Sequence, residues 1–204
     1  MKLPYVQDSP DGLSPEDAAI YDRIKQRRGG SLLPLDKALF HSPKLADGWN
    51  SLLGAVRTQG LLPTDIREII ICRVALHNKA WFEWHHHAPI LQSSPGFTPE
   101  MMKAVESVDL DTTTTGSPGS TSASNSSSNS ALNPKQLAAL RYADSMTKHI
   151  DVPSHVFEAL KTSGFNDQEI VEMTITCGAY NMVSRFLVAL DVGEMNGKSP
   201  LRSP

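Results

Sequence analysis

With 204 residues the chain is long enough for one domain with a buried core, or for one domain carrying a long insertion. Forty per cent apolar and 20% charged residues exclude general disorder and a fibrous repeat, and a formal charge of −3 is not the basic excess by which a nucleic-acid surface shows itself. The first residues, MKLPYVQDSPDG, lack the apolar stretch of a secretory signal, and no run of about 18 apolar residues provides a membrane span.

In chain order, residues 1–14 read as an N-terminal tail. Capping residues followed at once by proline then mark four helix starts: Ser14-Pro15, Ser42-Pro43, Thr98-Pro99 and Asn133-Pro134. The side-chain oxygen accepts an orphan backbone N–H, and proline at the first helical position has no N–H to leave unpaired. Period-2 patterns are scarce, so the fold class is all-α. Helices are predicted over 15–28, 43–59, 64–77, 80–92, 99–107, 134–149, 153–162 and 167–190. Two are apolar nearly all round, IREIIICRVAL (66–76) and IVEMTITCGAYNMVSRFLVAL (170–190), which predicts core helices or helices facing a second subunit. Asn166 with Glu169 three residues on has the spacing of a capping box. Between two helices, residues 112–130 (TTTTGSPGSTSASNSSSNS) contain almost nothing apolar and no charge; burial cannot offset the entropy of ordering, so a disordered insertion is expected there. The helical domain is taken as 15–192 and the C-terminal tail as 193–204. The only cysteines, Cys72 and Cys177, lie far apart and form no CxxC, so neither a disulfide framework nor a thiolate metal site is expected. A reducing, cytoplasmic setting follows as the expectation, with no membrane and no nucleic-acid partner.

The stretch WFEWHHHAPI (81–90) concentrates chemistry. On a helix neighbours lie about 100° apart, so His85, His86 and His87 point in three directions and cannot together ligate one ion. No H-E-x-x-H motif is present either, and no metal is expected. Glu83 and His87, four residues apart, do share a face. Two readings of that pair stand: a solvated i,i+4 pair contributing a few tenths of a kcal/mol, or a buried pair in which the carboxylate orients the imidazole and tunes its pKa for proton transfer. Trp81 and Trp84 beside the pair point to burial. On the preceding helix Glu68 falls between Ala75 and Cys72, with Arg67 and Arg73 roughly 100° and 140° away. It is thus an acid among apolar neighbours, and it needs a hydrogen bond, a raised pKa or an arginine from elsewhere. A turn at HNK (77–79) would fold the two helices into an antiparallel hairpin and bring Glu68 toward Glu83 and His87.

SPKLADGWNSLLGAVRTQGLLPTDIREIIICRVALHNKAWFEWHHHAPI (42–90) and YNMVSRFLVALDV (180–192) resemble the carboxymuconolactone decarboxylase and alkyl hydroperoxidase D (AhpD) superfamily. The hydroperoxidase pattern E-x11-C-x2-C-x3-H, started at Glu68, places Ala80 and Glu83 at the thiol positions and His87 at the histidine. Without thiolates a dithiol peroxide cycle is not expected. Glutamate at the second thiol position is similar to the decarboxylase branch. That likeness implies an AhpD-like helical domain and cofactor-free loss of carbon dioxide from a small carboxylated lactone or oxo acid. His87 would be the proton donor, Glu83 its orienting partner, and Glu68 a relay or substrate-positioning group. Trp84, His86 and Tyr180 are candidate pocket walls or oxyanion donors, and Arg73 or Arg185 the candidate positive group for an anionic substrate. The resemblance also implies association into a homo-oligomer, in keeping with the apolar last helix. Another enzyme on the same scaffold (isomerase, hydrolase or oxidoreductase) and a non-catalytic binding protein are the alternative readings.

Overall fold

The computed structural model describes residues 1–8, 12–107 and 131–201; the predicted insertion at 112–130 lies outside them. Among the described residues the secondary structure is helical throughout: α1 (Pro15–Arg27), α2 (Pro34–Leu39), α3 (Pro43–Thr58), α4 (Thr64–His77), α5 (Trp81–Gln92), α6 (Pro99–Glu106), α7 (Pro134–Lys148), α8 (Ser154–Thr162), α9 (Asp167–Leu190) and a 3-10 turn at Val192–Glu194. Side-chain capping sets four of these starts. Ser14 Oγ accepts the Asp17 N–H at 3.1 Å and Thr98 Oγ1 that of Met101 at 3.3 Å. Asn133 and Gln136 exchange reciprocal side-chain-to-backbone bonds at 2.9 and 3.0 Å, as do Asn166 and Glu169 at 2.9 and 2.8 Å. Ser42 makes no such bond, so α3 starts on Pro43 alone. The sequence reading misses α2 because its N-cap is Leu33, which offers no acceptor; Asp36 instead reaches back to the Leu33 N–H at 3.1 Å.

Helix α4 is the centre of the molecule. Ile66 and every residue from Glu68 to Leu76 are buried, because α5, α7 and α9 pack around it. On one side Ile66, Ile70 and Val74 meet Tyr142, Met173 and Leu187; on the other Ile69, Cys72 and Leu76 meet Trp81, Trp84 and Leu91. Each such aliphatic side chain contributes about 1.5–3 kcal/mol on leaving water. A helix covered on all sides carries no amphipathic stripe, as the IREIIICRVAL run implies. Helix α9 differs: Met173, Cys177, Tyr180 and Leu187 face inward, while Val171, Ile175 and Met182 are exposed. No helix among the described residues is long and apolar enough to cross a membrane.

The α4–α5 turn is the expected one. Asn78 caps α4, Lys79 takes the left-handed conformation (φ 53°), and the Ala80 N–H donates to Ala75 O at 2.8 Å, closing the hairpin. The chain's two ends then meet, the Lys2 N–H donating to Leu190 O at 2.8 Å and the Gly193 N–H to the Tyr5 hydroxyl at 2.8 Å. Gly193 (φ 73°) packs so closely on the Phe82 ring that a Cβ there would overlap it.

Candidate active site

Across the hairpin, α4 contributes Glu68 and α5 contributes His87. His87 Nδ1 donates to Glu68 Oε2 at 2.6 Å, and the two residues are 7% and 0% exposed. The other Glu68 oxygen accepts from Arg67 Nε at 3.2 Å. Burial alone would push the Glu68 carboxyl up; hydrogen bonds and charge from His87 and Arg67 outweigh it and hold the group below its ordinary value, as a carboxylate. Burial pulls His87 below the usual histidine range, against the opposing pull of Glu68. The ring is therefore neutral at neutral pH, with its proton on Nδ1 and the lone pair on Nε2, which has no hydrogen-bond partner among the described residues.

This corrects two sequence expectations. The partner of His87 is Glu68 and not Glu83: the facing helix offers its carboxylate head-on, whereas Glu83, one turn earlier on α5, points at α9. Its carboxyl lies 3.2 Å from Ser184 Oγ through both oxygens. Glu68 also does have a partner on its own helix, because the long Arg67 side chain folds back over a separation that the helical wheel makes too wide. Glu83 is 2% exposed and meets no cation among the described residues, and burial pushes its carboxyl well above the ordinary range.

His87 and Glu83 open onto one cavity of about 300 Å³ between α3, α5 and α9, at the small end of ligand-sized pockets. Leu53, Trp49, Val183 and Leu187 supply apolar wall. Tyr180 stands edge-on to the His87 ring, centroids 5.0 Å apart, and burial raises its pKa, so the hydroxyl remains a neutral donor. His86 borders the cavity, half-buried, its Nδ1 donating to Phe82 O at 2.8 Å; His85 is exposed. The three histidines thus diverge as expected, and among the described residues no cluster of three His, Cys, Asp or Glu is arranged to hold a metal.

The positive groups are not those expected from sequence. Arg73 is fully buried on another side of α4, where it grips Asp144 through Nε and Nη2 at 2.7 and 2.6 Å and donates to Val105 O and Ser107 O at 2.7 Å each. Arg185 is exposed and bonded to Asn181 on its own helix. Trp84, 4% exposed, packs with Ile69 and Leu91 and does not line the cavity. Three other arginines do. Arg28 is ion-paired with Asp36 (Nη2 to Oδ1 3.0 Å), which is the service α2 performs, and Arg27 at the mouth holds the neutral Asn50. Arg57, half-buried near the end of α3, has no hydrogen-bond or ion-pair partner among the described residues, and its charge acts on both His87 and Tyr180. A signal for it existed: Arg57 continues the helical stripe of Asn50 and Leu53, both buried, and an arginine on an inward stripe asks for an anion. The cysteines stand apart. Burial raises both thiols, Cys177 to about 11, and neither lines the cavity.

The helical hairpin α4–α5, closed by the long C-terminal helix α9, belongs to an AhpD-like all-α fold. Solved structures agree in architecture. An uncharacterized peroxidase-related protein from Silicibacter sp. TM1040 is 21% identical over 96% of both chains, TM-score 0.68. The alkylhydroperoxidase AhpD core of an uncharacterized peroxidase-related protein from Ralstonia eutropha JMP134 is 19% identical over 94% of this chain and 90% of that one, TM-score 0.71. A protein of unknown function from Agrobacterium tumefaciens, described as a candidate antioxidant defence protein AhpD, is 22% identical over 80% of this chain and 96% of its own, TM-score 0.58. No protein-family model and no curated protein matches the chain.

Proposed function

We propose that the chain is a cofactor-independent carboxy-lyase that releases carbon dioxide from a small carboxylated lactone or oxo acid. The observation that carries this reading is the meeting, in one cavity of about 300 Å³, of the His87–Glu68 pair with an Arg57 guanidinium that has no partner among the described residues. Arg57, with Arg27 at the mouth, draws an anion in. The apolar wall strips water from its carboxylate, which favours bond cleavage. As the C–C bond breaks, its electrons pass through the conjugated system to the carbonyl oxygen, where the neutral Tyr180 hydroxyl stabilises the enolate. The reaction consumes one proton. An anion beside His87 favours the imidazolium, so the ring takes a proton from water and hands it to the carbon, while Glu68 fixes its orientation throughout. Dithiol peroxide reduction has no place in this scheme, since Ala80 and Glu83 occupy the positions where thiols would stand.

The test is a panel of carboxylated lactones and oxo acids assayed for carbon dioxide release by the wild type and by Arg57→Met. Release from at least one substrate is expected. A charged hydrogen bond contributes about 1.5–3 kcal/mol, so Arg57→Met should raise KM about 10- to 100-fold with a smaller change in kcat. No release from any member of the panel, or an unchanged KM in the variant, would contradict the assignment.

A further inference from the structure

Glu83 is not needed by the scheme above, yet it is buried against the same cavity. Its hydrogen inventory is informative. The Ser184 hydroxyl has one hydrogen, and its shortest contact is to the carbonyl of Tyr180 at 2.7 Å, an atom that can only accept. With that hydrogen committed, Ser184 faces both Glu83 oxygens, each at 3.2 Å, with a lone pair. A carboxylate would set lone pair against lone pair there, whereas a carboxylic acid donates to Ser184 Oγ and satisfies both groups. Glu68 makes the contrast: equally buried, it is met by an imidazole N–H and a guanidinium. Glu83 has neither, and an uncompensated buried carboxylate is costly. The fixed proton on Glu83 and the free lone pair on His87 Nε2 stand one helical turn apart on α5, where Cβ atoms are about 5–6 Å from one another, a span that one small substrate bridges.

We propose that Glu83 is a second catalytic acid and that, with the His87–Glu68 pair as base, it gives the cavity an enolising and double-bond-shifting activity on small unsaturated oxo acids and lactones. His87 Nε2 removes a proton from the carbon next to the carbonyl, and the C–H electrons move into the conjugated system as a dienolate. The Glu83 O–H then delivers its proton to the far carbon of that system, and the double bond shifts. The imidazolium returns its proton to the Glu83 carboxylate, restoring both groups with no atom gained or lost. This rests on the reading of the cavity as an acid–base site for a small anion, but not on loss of carbon dioxide.

The experiment incubates the wild type with the same panel in D2O and follows, by proton NMR, exchange at the carbon next to the carbonyl and migration of the double bond. Migration of the double bond is expected in the wild type, reduced about 100-fold or more in Glu83→Gln, while exchange at the carbon next to the carbonyl, which His87 drives, persists in the variant. The amide can donate to Ser184 Oγ as the acid does, so the variant should melt close to the wild type. An infrared difference spectrum of the two unliganded proteins should show a protonated-carboxyl band that the variant lacks. Absence of migration across the panel, undiminished migration in Glu83→Gln, or a carboxylate band in place of the acid overturns the proposal. Carbon dioxide release without migration overturns it and spares the lyase reading; migration without carbon dioxide release does the reverse.

Discussion

His87→Gln should lower carbon dioxide release about 10²- to 10⁴-fold, the range that a positioned acid–base group contributes, while the protein stays folded. The argument is geometric. Glutamine keeps an N–H donor for Glu68 and most of the volume against Tyr180, so the bond now made at 2.6 Å has a replacement; what disappears is a group that can gain and lose a proton. Glu68→Gln should be milder, about 10- to 100-fold, because the imidazole remains but loses the carboxylate that fixes its tautomer. Both rates are to be read beside thermal melting. Retention of more than a tenth of the activity in His87→Gln, or a variant that fails to fold, would count against a proton-transfer role.

Arg73→Met should destabilise the protein by about 3–5 kcal/mol, the cost of leaving one partner of a buried ion pair alone, which for a chain of this size lowers Tm by about 6–20 °C. Arg73 makes four bonds in the interior and is the guanidinium partner of Asp144, whose second contact is His77 Nε2 at 2.7 Å. Burial alone would raise the Asp144 carboxyl, but the bonds and charge of His77 and Arg73 outweigh it and hold the group below its ordinary value. A depressed carboxylate pKa contributes stability above the unfolded-state value, so this contribution fades as pH falls below about 4 and through the folded-state pKa. Calorimetry across pH should show that acid-sensitive part reduced in Arg73→Met, where His77 still bonds Asp144. Were Arg73 instead the substrate anchor that the sequence suggested, the variant would keep its Tm and raise KM.

Arg73 and Arg57 show where the sequence runs out. Helix starts were legible because caps and prolines act locally, and the burial of α4 because IREIIICRVAL leaves no face for water. The approach of Glu68 to His87 was legible too, since a short turn at 77–79 leaves two helices few ways to pack. Which carboxylate the imidazole takes was not, because Glu83 shares its helix face while Glu68 approaches from a direction set by packing. Nor does a helical wheel say which arginine finds an internal acid: Asp144 is far from Arg73 in sequence and lies on α7, beyond the reach of α4 periodicity. Trp84 misled for a similar reason, being apolar next to the site yet turned into the core. Arg57 is legible in principle, as an arginine on an otherwise inward-facing stripe.

The claim on which the account turns is that Glu68 holds a neutral His87 ring with its proton on Nδ1 and its Nε2 lone pair toward the cavity. Nitrogen-15 NMR of the labelled ring through a pH titration reads that state directly. The expected result is the Nδ1–H tautomer at neutral pH, an imidazolium forming only below the usual histidine pKa near 6.5, and a further fall of that pKa in Glu68→Gln, where burial acts without the carboxylate's help. An Nε2–H tautomer, or a ring that titrates like a solvent histidine and ignores the loss of Glu68, would contradict it.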